Sequence, residues 1–362
     1  MCFYKLIRPL FFLLPAETAH NLTIKSLKLN LLPKAPLSQT DMLSQKIAGL
    51  TFKSPVGLAA GFDKNAETLP ALCKMGFGFV EVGTVTPNPQ AGNPKPRIFR
   101  CPAHKAVINR MGFPNKGLAF FKRNITAFRA QPQKQNGKVI GLNIGMNKDQ
   151  TAPEKDYTQL TREIGQQADY LTINISSPNT PGLRNLQERE FLLPLIHAVQ
   201  KERDELPNTP PLFIKLAPDL NNSQIKDISK TLLEAKIEGV ILTNTTLARP
   251  NYLPEDFRAQ AGGLSGAPVK DAATDIIGKF YSHLKGNIPI IGCGGISNAA
   301  DAYEKIKAGA ALLQIYSALI YEGPALPCRI NTELASLLKK DGHAKIQDAI
   351  GTALANTSQQ AA

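Results

Sequence analysis

The sequence predicts an α/β fold, a (β/α)8 TIM barrel that carries a small N-terminal hairpin of two helices. Three observations support this prediction. From residue 50 onward, eight short apolar segments alternate with segments of helical periodicity, as in the βα units of a parallel sheet. Polar residues or glycines follow all eight segments, and the first 36 residues have a different pattern from the rest. A doubly wound open sheet remains the alternative, because eight βα units do not by themselves close a barrel.

The eight apolar segments have the length of strands and are bounded by turn-forming residues. They are Pro55–Ala60, Gly78–Val82, Val139–Ile144, Tyr170–Ile175, Leu212–Leu216, Gly239–Leu242, Ile288–Ile291 and Ala311–Ile315. Helices are expected between them, at Glu67–Lys74, Asn185–Glu205, Ser223–Ala235, Val269–Leu284 and Asn298–Ala308. A chain of 362 residues accommodates one large domain with an appendage. We therefore expect a hairpin at residues 1–36, a barrel at residues 37–340 and a polar C-terminal tail at residues 341–362.

Composition and charge narrow the classes of function. Lysine and arginine number 42 against 29 aspartates and glutamates, and the net charge of +13 favours an anionic ligand, nucleic acid or membrane surface. The chain has no run of five basic residues, no zinc-finger spacing and no tryptophan, so nucleic-acid binding is disfavoured. The five cysteines are scattered, and no histidines or carboxylates have metal-ligand spacing. We therefore expect neither a disulfide framework nor a metal.

The first 36 residues predict a basic amphipathic hairpin. A nearly all-apolar segment precedes Pro15, a residue that suits the first turn of a helix. His20, Ile24 and Leu27 then recur at helical spacing and share one face, and Leu31 continues the pattern. Five basic residues against one glutamate give this segment a net charge of +4, and its apolar runs are too short to span a bilayer. Two interpretations stay open: the helices pack on the barrel, or they lie on an anionic lipid surface, which we favour.

The ends of the predicted strands carry the chemistry. Active sites of this fold form at the carboxyl ends of the strands, so the residues there are expected to meet. The polar side chains at these ends are Lys64, Thr84, Asn143, Asn174, Ser177, Asn179, Lys215, Thr243, Asn244, Thr245, Tyr316 and Ser317. Two glycine-rich segments, at residues 261–268 and 292–297, suit a phosphate, because glycine lets backbone N–H groups approach an anion.

Lys64 and Lys215 indicate the kind of ligand. Lys215 directly follows apolar strand residues and Lys64 comes shortly after the first predicted strand, and a buried lysine is costly unless an anion compensates its charge. A phosphorylated ring that gains negative charge on reduction, such as a flavin, would use both lysines, whereas surface lysines remain the alternative. The long connections at residues 84–116 and 174–185 have the length of functional or mobile loops. Ser177, in the second connection, is by itself only a turn serine.

Ten motifs follow one another along the chain. They are A-A-G-F-D-K (59–64), E-V-G-T-V-T-P (81–87), G-N-P-K-P-R-I-F-R (92–100), N-R-M-G-F-P-N (109–115), N-I-S-S-P-N-T-P-G-L-R (174–184), K-L-A-P-D-L (215–220), N-T-T (244–246), G-G-L-S-G (262–266), G-C-G-G-I (292–296) and Q-I-Y-S-A-L (314–319). Together they resemble the dihydroorotate dehydrogenases, in particular the quinone-dependent, membrane-associated class 2, from about residue 15 to residue 336. Met146 and Cys293 depart from the residues common in that family, at positions not expected to touch the chemistry.

The resemblance implies an FMN-dependent oxidation of (S)-dihydroorotate to orotate in pyrimidine biosynthesis, with a membrane quinone as the final electron acceptor. It implies that FMN is held by Ala60, Gly61, Lys64, Thr84, Asn143, Asn174, Lys215, Thr243, Gly266, Gly295, Tyr316 and Ser317. It places dihydroorotate on Lys64, Asn109, Arg110, Met111, Gly112, Phe113, Asn174, Asn179, Asn244 and Thr245. Ser177 falls at the position of the family's catalytic base, where soluble class 1 relatives have cysteine. The quinone head group is expected near His20, Arg100 and Tyr316.

The resemblance also implies a monomer that lies peripherally on the cytoplasmic face of the cell membrane. Two other interpretations remain open. One is a soluble dehydrogenase that passes electrons to fumarate or NAD, which Ser177 and the basic hairpin disfavour. The other is a barrel that binds phosphate-bearing ligands at a membrane without turnover, which Lys64, Asn109 and Ser177 disfavour.

Overall fold

The barrel is closed. The computed structural model describes residues 3–35 and 41–354, and eight of its parallel strands follow one another around a complete ring. The last strand of the ring pairs with the first, with Ile315 opposite Leu58, so the open-sheet alternative is excluded. All eight apolar segments expected from the sequence form strands of this ring, and the predicted fold class is confirmed.

The strands are numbered along the chain. Their bounds are β1 Gln45–Ile47, β2 Leu50–Phe52, β3 Val56–Leu58, β4 Phe79–Val85, β5 Ile98–Cys101, β6 Ala106–Asn109, β7 Val139–Ile144, β8 Tyr170–Asn174, β9 Leu212–Leu216, β10 Gly239–Leu242, β11 Gly263–Gly266, β12 Ile290–Cys293 and β13 Ala310–Ile315. The order around the barrel is β3-β4-β7-β8-β9-β10-β12-β13. β1 and β2 form an antiparallel hairpin, and β5, β6 and β11 form a separate antiparallel sheet.

The helices lie mainly between the barrel strands. Their bounds are α1 Phe3–Leu13, α2 Ala16–Lys28, α3 Leu69–Leu72, α4 Gly117–Arg129, α5 Pro132–Gln135, α6 Pro153–Ile164, α7 Arg189–Asp204, α8 Asn222–Glu234, α9 Glu255–Arg258, α10 Lys270–Leu284, α11 Ala299–Lys307, α12 Ser317–Glu322 and α13 Leu326–Lys340. The five helices expected from the sequence correspond to α3, α7, α8, α10 and α11. Their ends differ from the expected ones by a few residues, as frayed helix ends do.

Aromatic rings fill the amino-terminal end of the barrel. The centroids of the Phe79 and Tyr170 rings lie 6.4 Å apart, and those of Tyr170 and Phe213 lie 4.9 Å apart. Gly57 and Gly141 face these rings, because a Cβ at either position would overlap Phe79 or Tyr170. Since large rings and glycines close this end, the polar strand residues are left to form a site at the opposite, carboxyl end.

The antiparallel sheet was not expected from the sequence. β5 and β6 lie in the long connection after β4, and β11 joins them with Leu264 opposite Ile108. Apolar periodicity within a segment carries no information about a partner so distant along the chain. The connection at residues 84–116 is therefore structured rather than a free loop.

The N-terminal helices pack on the barrel. Tyr4 donates a hydrogen bond to a backbone carbonyl of α12 at 2.7 Å, and Arg97 donates two to the Glu17 carboxylate at 2.7 and 3.1 Å. α2 ends at Lys28, so Leu31 lies beyond it and is 81% exposed, off the helix face expected for it. The expected hairpin boundary at residue 36 lies outside the described residues. Within the described part, no helix is long and apolar enough to cross a bilayer.

Packing continues past residue 340, where the sequence led us to expect a polar tail. A short 3-10 helix at Ile346–Ala349 buries its first and last residues in the barrel core. The boundary at residue 341 therefore does not separate packed from unpacked chain, because these two side chains are apolar and find partners in the core. The polar residues from Asn356 onward lie outside the described residues.

Candidate active site

One cavity of about 450 Å³ extends from the hairpin into the barrel mouth. Side chains of α1 and α2 line one end, and residues from the strand ends line the other. Most residues predicted to bind cofactor, substrate or quinone line it, namely His20, Ala60, Gly61, Lys64, Thr84, Arg100, Asn109, Met111, Gly112, Phe113, Asn174, Ser177, Asn179, Lys215, Thr243, Asn244, Thr245, Gly266, Gly295, Tyr316 and Ser317. The closed barrel thus brings together residues that are scattered along nearly the whole chain.

The glycines after β12 form a close-fitting corner of the cavity. Gly294 and Gly295 have φ angles of +114° and +71°, in a region that favours glycine. A Cβ on Gly295 would overlap the backbone of Lys270, at the start of α10. Since residues 293–297 all line the cavity, backbone N–H groups can approach an anionic group here, as expected for the phosphate of FMN.

The other glycine-rich segment serves a different contact. A Cβ on Gly262 or Gly266 would overlap the backbone in or beside β6, so these glycines let β11 lie against β6. Residues 265–267 of the segment line the cavity, where Ser265 Oγ lies 2.8 Å from Ser317 Oγ. Of this segment, therefore, only residues 265–267 are placed to contact a phosphate bound in the cavity.

Two lysines lie in the cavity wall. Lys64 donates from Nζ to the carbonyl of Gly61 at 2.6 Å, and Lys215 is only 5% exposed. Burial lowers the pKa of Lys64 to about 8, although the neighbouring Asp63 carboxylate acts in the opposite direction. A buried ammonium group is costly, so an anion bound in the cavity would stabilise both side chains.

Amide side chains form a connected wall across the barrel mouth. Asn174 donates from Nδ2 to Thr84 Oγ1 at 2.9 Å and to Asn143 Oδ1 at 3.1 Å. Asn143 is fully buried behind Asn174 and does not itself line the cavity. Asn244 donates to Ser176 Oγ at 2.9 Å, and Ser176 Oγ donates to Asn174 Oδ1 at 3.0 Å. Amides offer both donors and acceptors, which suits a cyclic diamide such as dihydroorotate.

The connection after β8 covers the cavity. Ser177 is 6% exposed, and its Oγ accepts the backbone N–H of Asn179 at 3.2 Å. Arg184 fixes the connection by donating to the carbonyl of Ser176 at 3.0 Å and to that of Thr245 at 2.8 Å. The serine is therefore shielded from water beneath an anchored loop.

Aromatic rings connect the two ends of the cavity. The His20 ring centroid lies 5.6 Å from that of Phe62, which in turn lies 5.9 Å from that of Tyr316. Burial lowers the pKa of His20 to about 3, with a further lowering by the charge of Lys64, so the imidazole is neutral at pH 7. Arg100 donates to three carbonyls at and just after the end of α1. The residues expected near a quinone thus lie where the hairpin meets the barrel.

Comparison with known proteins identifies the family. The family model described as dihydroorotate dehydrogenase matches residues 42–338. The chain belongs to the dihydroorotate dehydrogenase family. The family resemblance that the ten motifs indicated is therefore confirmed.

Dihydroorotate dehydrogenases resemble this chain over nearly its whole length. A protein from Novosphingobium aromaticivorans named dihydroorotate dehydrogenase (quinone) is 47% identical over 349 residues, which cover 96% of this chain and 99% of the relative. The mitochondrial protein of that name from Mus musculus is 46% identical over 344 residues, covering 94% and 87%. The crystal structure of DHODH from Eimeria tenella in complex with ferulenol superposes with a TM-score of 0.90 at 42% identity, covering 93% and 95%.

One residue that the dihydroorotate dehydrogenase resemblance places on the substrate points elsewhere. The guanidinium of Arg110 lies 4.6 Å from the centre of the Phe99 ring and donates to Gln260 Oε1 at 3.3 Å. Its neighbours Asn109 and Met111 do line the cavity. Because successive residues of an extended chain point to opposite sides, the Arg110 side chain is directed away from the substrate site.

Two residues of the network were not predicted from the sequence. Ser176 links Asn174 to Asn244, whereas the residue predicted from the sequence was the adjacent Ser177. Glu81 is fully buried within β4 and accepts four hydrogen bonds. A lone carboxylate in an otherwise apolar strand is the signal that indicates Glu81, because glutamate is rarely fully buried without dedicated partners.

Proposed function

We propose that this chain oxidises dihydroorotate to orotate in pyrimidine biosynthesis, with FMN as the immediate electron acceptor and a membrane quinone as the final one. One observation carries the proposal: residues expected for all three molecules line a single cavity with two chemically different ends. The relatives named dihydroorotate dehydrogenase (quinone), at 46% and 47% identity over nearly the whole chain, support the choice of acceptor.

The barrel mouth fits FMN. The glycine corner at residues 293–297 lines the cavity, where its backbone N–H groups can meet an anion, and Lys64 and the buried Lys215 can balance negative charge. The cavity-lining residues that would hold FMN are Ala60, Gly61, Lys64, Thr84, Asn174, Lys215, Thr243, Gly266, Gly295, Tyr316 and Ser317, while Asn143, predicted from the resemblance as a direct contact, supports Asn174 from behind. FMN held by these residues would supply a two-electron acceptor for the hydride from C6 of dihydroorotate, with quinone as the final acceptor.

The substrate would lie between the loop after β8 and the amide wall. Lys64 supplies a positive charge for the carboxylate of dihydroorotate, since its ammonium lines the cavity. Asn174 and Asn244 offer amide groups to the ring, and Asn179 donates from Nδ2 to Asn109 Oδ1 at 3.4 Å across the cavity rim. Thr245 and residues 111–113 complete the proposed contacts with the substrate.

Ser177 would remove the proton from C5 of dihydroorotate. A serine hydroxyl is a weak base, so its own proton must first pass to solvent, and the oxygen then needs help to carry negative charge until it takes the proton from C5. The backbone N–H of Asn179 points at Ser177 Oγ and stabilises such charge. The loop that buries Ser177 also excludes water, which strengthens this electrostatic contribution.

Quinone would reach the cavity from the hairpin end. His20, Arg100 and Tyr316 line that part, and the neutral imidazole of His20 suits an uncharged head group. Outside the cavity, Leu6, Leu10 and Leu13 recur at helical spacing on α1 and are 64%, 66% and 82% exposed. An exposed apolar stripe on a basic segment suits an anionic lipid surface. We therefore propose peripheral attachment to the cytoplasmic face of the membrane, with the chain acting as a monomer.

The direct test is to supply the purified protein with dihydroorotate and to follow the flavin spectrum anaerobically, and then to add alternative electron acceptors. We expect a yellow protein whose colour is bleached by dihydroorotate and restored by a long-tailed quinone. A colourless protein that does not bind FMN would contradict the proposal. Restoration by fumarate or NAD but not by quinone would favour the soluble type of dehydrogenase instead.

A further inference from the structure

The carboxylate of Glu81 lies inside the barrel, behind the proposed cofactor and substrate site. Its Oε1 accepts from Asn143 Nδ2 at 2.7 Å. Its Oε2 accepts from Tyr170 Oη at 2.9 Å, from Thr172 Oγ1 at 3.3 Å and from Gln314 Nε2 at 2.7 Å. The carboxylate thus receives four donors, one on Oε1 and three on Oε2, and every one of these groups donates to it.

The Glu81 carboxylate is fully buried, so we ask what it does that a neutral side chain of similar size would not do. All seven residues of β4 are buried, and the neighbouring layer of the barrel consists of aromatic rings and aliphatic side chains. Burying an ionised carboxylate is costly even when it is hydrogen-bonded. Burial and the Glu81 charge also raise the pKa of Tyr170 well above its ordinary value, so Tyr170 remains a donor.

The carboxylate fixes the orientation of the first amide. Because a carboxylate only accepts, Asn143 must turn its NH2 group toward Glu81 and its Oδ1 the other way. That oxygen accepts from the Thr84 hydroxyl at 2.6 Å and from Asn174 Nδ2 at 3.1 Å. The orientation of Asn143 is thereby passed to the amide of Asn174, which lines the cavity.

The hydrogen bonds between Asn174 and Thr245, on the substrate side, have the same donor-to-acceptor direction. With its NH2 group committed, Asn174 presents its Oδ1 to Ser176, whose N–H and hydroxyl donate at 3.3 and 3.0 Å. Ser176 Oγ accepts from Asn244 Nδ2 at 2.9 Å, and Asn244 Oδ1 accepts the backbone N–H of Thr245 at 2.8 Å. Every hydrogen bond from Thr245 inward thus runs donor to acceptor toward Glu81.

We propose that Glu81 is a positioning residue, which sets the donor and acceptor direction of the chain Asn143, Asn174, Ser176 and Asn244 and so determines how the amide wall meets the substrate ring. The two ends of an amide have nearly the same shape, so without an acceptor-only group at the base of the chain Asn143 can turn either end toward residue 81. One of these orientations opposes the direction that the backbone N–H groups of Ser176 and Thr245 impose from the substrate side. The wrong direction places acceptors where the ring needs donors. This inference rests on the proposed function, because the direction matters only if dihydroorotate binds against this wall.

The test replaces Glu81 by glutamine, which keeps the size but can donate as well as accept. Orotate is titrated into the FMN-loaded protein by calorimetry, and FMN content and thermal midpoint are recorded in parallel. We expect the orotate Kd of Glu81→Gln to rise by about 10- to 100-fold. This is the range of effects seen when a buried donor or acceptor is left without a partner. The KM for dihydroorotate should rise more than kcat falls, while FMN remains bound.

Tyr170→Phe is the matched control. It removes a donor to the same carboxylate on the Oε2 side and leaves Asn143 facing an acceptor. Its orotate Kd should stay within about threefold of the parent, even if the thermal midpoint falls. An unchanged Kd in Glu81→Gln, or an equal loss in Tyr170→Phe, would overturn the proposal.

A double variant keeps the proposal testable if Glu81→Gln folds poorly. Glu81→Gln combined with Asn143→Asp exchanges the amide and the carboxylate across their shared hydrogen bond. The carboxylate at position 143 can only accept, so it again faces the donors of Thr84 and Asn174. We expect the double variant to recover folded protein and to bind orotate more tightly than the single variant, and no recovery would contradict the proposal. A parent protein that binds FMN but is not reduced by dihydroorotate would instead contradict the proposed function itself.

Discussion

The two ends of the cavity are built by opposite means. At the barrel mouth, amide and hydroxyl side chains at the ends of the closed strands form a continuous hydrogen-bonded network, and Lys64 and Lys215 line the cavity beside it. At the hairpin end, aromatic and aliphatic side chains surround the polar groups of His20 and Arg100, and the helices are attached through backbone carbonyls and the ion pair of Glu17 with Arg97. A charged, polar substrate suits the first end and an apolar acceptor suits the second. The difference shows how one cavity can serve two half-reactions with separate sets of residues.

The largest effect is expected at Ser177. Ser177→Ala should slow flavin reduction by dihydroorotate by about 10²- to 10⁴-fold, the usual contribution of a general base. The variant should remain yellow and bind orotate, because its neighbours are unchanged. Stopped-flow absorbance measures the rate, and a value within about threefold of the parent would remove Ser177 from the mechanism.

Lys215→Ala tests whether FMN binding at the barrel mouth depends on the buried positive charge of Lys215. We expect the FMN Kd to rise by about 10- to 100-fold, since a hydrogen bond to a charged group is worth more than a neutral one. Lys230→Ala, on the exposed side of α8, is the control of equal charge. Fluorescence titration of the apoprotein with FMN distinguishes them, and equal losses would mean that net charge rather than the site holds the cofactor.

Arg100→Ala tests the hairpin end. The variant loses its hydrogen bonds to the carbonyls at the end of α1, so reoxidation by a long-tailed quinone should slow by about tenfold, or 1.4 kcal/mol. Flavin reduction by dihydroorotate should stay at the parental rate. Exposed Arg123→Ala provides the control. If Arg100→Ala slowed both half-reactions equally, the two ends would not be independent.

The smallest expected effect is the pH dependence of orotate binding through Lys64. Burial lowers the pKa of Lys64 to about 8, while the charges of Asp63 and Glu17 raise it and that of Arg97 lowers it further. Below that pKa the ammonium attracts the anionic ligand, and above it the charge is lost. The orotate Kd should therefore be constant from about pH 6 to 7 and rise by up to about tenfold between pH 8 and 9. Lys64→Arg should give a flat profile over that range, and a flat profile in the parent would exclude Lys64 as the titrating group.

The sequence predicts what depends on local pattern. The barrel strands are short apolar runs, and Lys64, Asn174 and Asn244 lie at or shortly after the ends of such runs. The fold and the residues of the barrel mouth can therefore both be predicted from positions along the chain. The sheet of β5, β6 and β11 does not follow, because its strands pair across a distance that periodicity cannot sense. Glu81 lies within an apolar strand rather than at its end, so its partners become evident only when its own strand and three others meet in the closed barrel.

The hairpin shows the same limit. Its helices follow from their apolar periodicity, but part of their attachment to the barrel is made by Arg97 and Arg100, beside and within β5, which nothing in the hairpin sequence indicates. The two interpretations of the hairpin are also not exclusive, since its inner side packs on the barrel while Leu6 and Leu10 remain exposed.

The separation of the two ends is tested most directly by measuring both half-reactions in a chain that lacks residues 1–36. Stopped-flow absorbance follows flavin reduction by dihydroorotate and reoxidation by either a long-tailed quinone or a small water-soluble dye, and vesicle flotation follows lipid binding. We expect a yellow protein with parental flavin reduction and dye reoxidation, slow use of the long-tailed quinone, and no flotation, since each basic residue near an anionic surface contributes about 1 kcal/mol. A truncated protein that floats and uses long-tailed quinone at the parental rate would contradict the account.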